Sequence, residues 1–107
     1  NPSTMSKPPG YTHVVEATGP GRIVYIAGQL GLTVDGKLAG RPGDFRAQAT
    51  QAFENLKNAL AAVGAGFEHV VKLNNYLTNI RAQLPLYRDV RDGYVSTAHP
   101  PASTRWR

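Results

Sequence analysis

The chain has 107 residues, 41% of them hydrophobic and 18% charged, with a formal net charge of +5. That is room for one domain with one core, and a globular composition that argues against disorder. No cysteine is present, which excludes disulfides, thiolate chemistry and cysteine metal sites and fits a reducing, cytoplasmic setting. No apolar run approaches the ~20 residues of a membrane-spanning helix, so no membrane partner is expected. The basic residues, from Lys7 to Arg107, are dispersed and form no run interleaved with aromatics. They read as a solvated surface, and nucleic acid is not an expected partner.

In chain order, the proline-rich lead-in from Asn1 to Gly10 is expected to be extended. Tyr11–Ala17, rich in β-branched residues, and the apolar run Arg22–Ala27 flank a Thr18-Gly19-Pro20-Gly21 turn cluster and predict a β-hairpin. Gly28 interrupts the run and Gly31 follows, which suggests a bulge or a close approach by another group. Leu32–Ala39 carries Asp35-Gly36, the signal of a two-residue hairpin turn. Asp44 can cap a helix running to Val63, because Phe45, Ala49, Ala52, Phe53, Leu56, Ala59, Leu60 and Val63 recur at helical spacing. Gly64 and Gly66 stop it.

His69–Thr78 predicts the next strand, with Val71, Leu73 and Leu77 facing the helices and Lys72, Asn74, Tyr76 and Thr78 facing away. A second helix follows, with Pro85 near its first turn and Leu86, Tyr87, Val90 and Tyr94 on its inner side. After His99-Pro100-Pro101 a last strand opens at Ala102 and runs to Arg107. The expected order is β-β-β-α-β-α-β, an α+β domain with two helices on one sheet face. The opposite face is polar and aromatic, which suits contact with another subunit and small-molecule pockets between subunits.

These segments resemble the YjgF/RidA family of reactive-intermediate deaminases, from Tyr11 to Thr104. The likeness rests on Gly19-Pro20-Gly21-Arg22, Val24-Tyr25-Ile26-Ala27-Gly28-Gln29, Asp35-Gly36-Lys37-Leu38, Gln48 with Asn55-Leu56 and Ala61 to Gly64, Val70-Val71-Lys72-Leu73 and Pro101-Ala102. The resemblance implies a chorismate-mutase-like (bacillus-type) fold, a homotrimer with clefts between subunits, and hydrolysis of 2-imino acids to 2-keto acids and ammonia without metal or organic cofactor. Members also carry the labels endoribonuclease L-PSP and translation inhibitor. Residues 1–107 would form a single such domain, lacking the family's last strands and the water-orienting glutamate they supply.

Imine hydrolysis needs a cation for the substrate carboxylate, acceptors for the iminium nitrogen and a positioned water. The resemblance places Gly28 at the nitrogen end, where its backbone would line the cleft. Ala27 stands where many members have serine, and Tyr11 matches a pocket-bordering tyrosine. At the carboxylate anchor the chain reads Pro101-Ala102-Ser103 where deaminating members read Pro-Ala-Arg. Ser103 cannot make the bidentate charge-assisted pair. Arg105, two residues on and on the same strand face, is the candidate replacement. Gly28 and Arg105 are thus the catalytic candidates, and Tyr11, Ala27, Gly28, Ser103 and Arg105 the substrate-binding ones, for a small anionic metabolite. The alternative is a trimer that binds or senses a metabolite without turning it over. His13, His69 and His99 match no metal-ligand spacing.

Overall fold

A computed structural model describes residues 1–106. Its regular elements are α1 (Phe45–Ala62), a short 3-10 turn (Phe67–His69), β1 (Lys72–Tyr76), α2 (Ile80–Asp92) and β2 (Ala102–Trp106). The two strands pair in parallel, Lys72 opposite Ala102 through Tyr76 opposite Trp106. Parallel neighbours need a crossover, and α2 supplies it. Two helices on a small sheet make this an α+β fold, as the sequence predicts. Among the described residues no helix is long and apolar enough to cross a membrane.

The helix α1 forms where the apolar spacing places it. The Asp44 carboxylate accepts the Ala47 amide at 3.0 Å, satisfying one of the free N–H groups of the first turn. Beyond the last turn Gly64 adopts φ +73°, a conformation that costs glycine little. The inner face buries Ala49, Phe53 and Leu60. Phe53 is the centre of an aromatic cluster: its ring stacks on Tyr94 at 5.2 Å and lies 6.0 Å from Tyr87 and 6.1 Å from Phe67. Leu77, Val90 and Val95 complete the buried core, with Leu73, Ile80 and Leu84 packed against it.

Several sequence expectations are corrected. The Tyr11–Ala17 and Arg22–Ala27 segments form no ladder; a single parallel bridge joins Thr12 to Ala102. Strand composition is not sufficient, because a strand also needs a neighbouring edge for its N–H and C=O groups. Ile23 and Tyr25 are 82% and 91% exposed. The Leu32–Ala39 hairpin does form, with Thr33 bonded to Lys37 at 2.8 Å and Gly36 at φ +76°. Its loop is the three residues Val34, Asp35 and Gly36 rather than two, with the left-handed glycine closing it. The 3-10 turn takes the start of the expected His69–Thr78 strand, and Val71 is exposed while Leu73 and Leu77 pack inward. Pro85 lies inside α2 rather than in its first turn. Leu84 and Ile80, not Leu86, join the core there. Of the final strand, Arg107 lies outside the described residues.

Replacing Phe53 with alanine should cost about 3–5 kcal/mol, comparable with the whole stability of a small domain. The urea midpoint should fall steeply in Phe53→Ala and recover substantially in Phe53→Leu. An unchanged midpoint in the alanine variant would refute the central role of this ring.

Candidate functional site

Strand alternation decides which β2 side chains face the helices. Leu73 packs into the core, so Asn75 two residues on, and their register partners Ser103 and Arg105, share that face. The Asn75 amide donates to the Ser103 hydroxyl at 3.5 Å. On the other face Lys72 donates to Thr104 at 2.5 Å, among the exposed side chains Asn74 and Tyr76. Ser103 and Arg105, the anchor position and its candidate replacement, therefore lie side by side on the half-buried inner face.

A groove of about 1420 Å³ separates the 22–31 segment from α1 and β1. Ala27 and Gly28 form part of one wall, Phe45, Phe53 and Leu56 part of the floor, and Asn75 and Tyr87 also line it. The segment is fastened at both ends. Arg22 donates to the Val63 carbonyl at 2.6 Å, at the C-terminus of α1 where carbonyls lack helical partners. The Asn55 amide donates to the carbonyls of Leu30 and Leu32 at 3.0 and 2.9 Å. Between these ties Ala27 and Gly28 are exposed.

The close approach suggested for this glycine pair falls on Gly31. A Cβ there would lie 2.4 Å from the Gln48 carbonyl oxygen and 2.6 Å from its Cα, so the segment can rest on α1 only through glycine. At Gly28 nothing lies within 4 Å of the corresponding position, which leaves its backbone open to a ligand. Tyr11 stands apart from the groove. Its ring meets His13 edge-on at 5.4 Å, and the neighbouring Thr12 amide donates to Pro101 at 3.0 Å, just before β2. The five candidates thus divide into a groove pair, a β2 pair and Tyr11, with Asn75 linking the groove to Ser103.

Tyr87 was read from sequence as core packing, and so it is, but its hydroxyl is buried without a hydrogen-bond partner. Burial pushes this phenol up to about 12, with the positive charges of Arg91 and Arg105 opposing the shift. Arg91 was missed altogether. It is only 3% exposed, pairs with Asp92 at 3.0 Å and sits 5.9 Å over the Tyr87 ring. Its helical spacing from Tyr87 was the available signal. Gly10, at φ +77°, packs directly on that guanidinium.

The histidines have local partners. His13 bonds the Ser6 carbonyl at 2.8 Å, the His69 ring accepts the Gly66 amide at 3.0 Å, and the His99 amide donates to Ser96 at 3.0 Å. Among the described residues no group of three or more His, Cys, Asp or Glu could hold a metal ion.

Comparison with known proteins shows the family. The family described as Endoribonuclease L-PSP matches residues 4–106. A 2-iminobutanoate/2-iminopropanoate deaminase of the mite Dermatophagoides farinae is 34% identical over 90 residues, covering 83% of this chain and 68% of that protein. The enzyme of the same name from Bos taurus is 32% identical, covering 92% and 70%. The chain spans about half of yeast MMF1, a further relative at 32% identity. Among solved structures, YyfB of Yersinia pestis, a Rid-family protein of unknown function, superposes with a TM-score of 0.84 at 34% identity, covering 98% of this chain and 80% of that one. RidA from an Antarctic Psychrobacter gives 0.67 at 36% identity, covering 81% and 69%. The chain belongs to the YjgF/RidA family, the one described as Endoribonuclease L-PSP.

The Tyr87 environment generates a pH prediction. The unfolded chain releases this proton near pH 10 and the folded chain only near 12. Its contribution to stability is therefore complete below pH 10 and lost as pH rises from 10 to 12, by about 2–3 kcal/mol. Denaturation at stepped alkaline pH should show this loss in the wild type and a smaller one in Tyr87→Phe. Equal losses would contradict the assignment.

Proposed function

We propose that this protein hydrolyses imines or enamines in clefts between the subunits of a homotrimer, converting a 2-imino acid to a 2-keto acid and ammonia. The observation that carries the reading is the match to 2-iminobutanoate/2-iminopropanoate deaminases across most of the chain. The chemistry asks little of the protein beyond positioning. The iminium carbon is made electrophilic by protonation, water adds to it, and the resulting carbinolamine expels ammonia to leave the ketone. Gly28, with open space where a Cβ would stand, presents its backbone to the iminium nitrogen. Arg105, on the same strand face as Ser103, takes the carboxylate through its guanidinium.

A second reading is favoured by Ser103 itself. An uncharged residue at the anchor position suits a trimer that binds or senses a small metabolite without hydrolysing it. The RNA-directed activity in the family's description draws no support from the dispersed basic residues, and weak or salt-insensitive RNA binding is expected.

The deciding measurement is the decay of 2-iminobutanoate, generated in situ, with micromolar full-length protein. Wild type should accelerate it. Arg105→Ala should lower kcat/KM about 10- to 100-fold, because hydrogen bonds to charged groups contribute about 1.5–3 kcal/mol. Ser103→Arg should raise it by restoring the paired geometry. No acceleration from a folded oligomer would eliminate the deaminase reading for this imine and leave the binding role.

A further inference from the structure

Among the described residues Arg91 alone is both charged and buried, at 3% exposure. Its Nε and Nη2 each lie 3.0 Å from the Asp92 carboxylate, its Cζ stands 5.9 Å from the centre of the Tyr87 ring, and its Nη1 has no acceptor. Taking a guanidinium out of water is costly, and an apolar side chain of similar volume is often neutral or better in such a place. Stability therefore does not account for the arginine. What it adds over methionine is direction, a rigid planar fork held by its partners.

The fork faces the lead-in. A Cβ at Gly10 would fall against the guanidinium, 2.9 Å from Cζ and closer still to Nη2, and Gly10 has φ +77°, so contact and conformation both demand glycine there. Pro8, which is buried, and Pro9 approach it with φ fixed by their rings. Two residues beyond Gly10 the chain is fastened to a second support. The Thr12 amide donates to the Pro101 carbonyl at 3.0 Å, its hydroxyl donates to the Pro100 carbonyl, and Thr12 bridges Ala102. Tyr11 is thus held between a clasp on α2 and a tie beside the residue that precedes Ser103. We propose that Arg91 is a positioning residue for Tyr11: by seating Gly10 it sets where the Tyr11 ring stands relative to Ser103 and Arg105 on β2. The inference rests on the deaminase reading for what Tyr11 binds, and Arg91 acts only through that ring.

Two readouts on the full-length protein test this. The first is NMR with labelled tyrosine rings, the Tyr11 signals being assigned through Tyr11→Phe. Arg91→Met fills the same space without the fork. It should move the Tyr11 signals and leave those of Tyr25, 91% exposed, in place. The second is turnover of 2-iminobutanoate, in which Arg91→Met should raise KM about 10-fold and change kcat by less than about 2-fold, the pattern of lost uniform binding. In a Tyr11→Ala background the same substitution should leave KM unchanged, because its effect passes through that ring, whereas a general structural loss would persist there. If Arg91→Met fails to fold, Gly10→Ala disrupts the same contact from the lead-in and should give the same signal shift and KM change. Unmoved Tyr11 signals in the folded variants, or an equal rise in KM with and without Tyr11, would overturn the clasp. Moved signals without wild-type turnover sink the deaminase reading alone, whereas turnover with unmoved signals sinks the clasp alone.

Discussion

The structure depends on one ring. Phe53 projects from the middle of α1 and touches the aromatic residues of every later element that packs there: Phe67 before β1, Tyr87 inside α2 and Tyr94 just after it. Offset and tilted contacts at these separations are favourable beyond simple area burial. They fix how far α2 stands from α1, and hence how α2 lies across β1 and β2. The Arg46–Asp89 ion pair also joins the helices, at 2.6 Å, but it is exposed on both sides and such pairs contribute about 0–1 kcal/mol. The aromatic contact governs the helix pair, and the groove floor inherits its shape from the same ring.

The legible parts of this fold are those decided locally. Apolar spacing, the Asp44 cap and Gly64 suffice to define α1 within a residue at its end. Strand alternation correctly puts Ser103 and Arg105 on one face. What failed was whatever depends on a partner distant in sequence. The 11–17 and 22–27 segments have strand composition, but composition says nothing about whether an edge lies beside them. Gly28 and Gly31 interrupt the same run and look alike in sequence; only the position of Gln48 on α1 distinguishes the crowded glycine from the open one. Pro85 near a helix start was plausible, yet α2 begins a turn earlier, at Ile80.

The placement of the candidate residues on β2 was legible in outline for the same reason. Alternation that carries Leu73 inward must carry Asn75 inward too, so an asparagine facing a core was there to be noticed. The apolar members Val71, Leu73 and Leu77 mark that face in the sequence and draw attention away from the asparagine between them. Tyr87 was placed correctly as a packing residue, but helical spacing cannot tell whether a buried hydroxyl finds an acceptor. The family resemblance draws attention to Gly28 and Ser103, and it says nothing of Asn75 or of the buried Tyr87 hydroxyl. On the inner face of the strand pair Ser103 has two polar neighbours, Asn75 and Arg105.

The parallel pairing of β1 with β2 also has a consequence for biosynthesis. A hairpin can close as soon as its second strand leaves the ribosome, but β1 must wait for the whole stretch through α2 to Pro101 before its partner exists. At about 5–20 residues per second, that delay is on the order of seconds, far longer than the microseconds a helix needs to form. During it, the inward side of β1 has α1, and then α2, but no neighbouring strand. Leu73, which packs against the core in the finished fold, therefore spends that interval without the neighbouring strand that later pairs beside it.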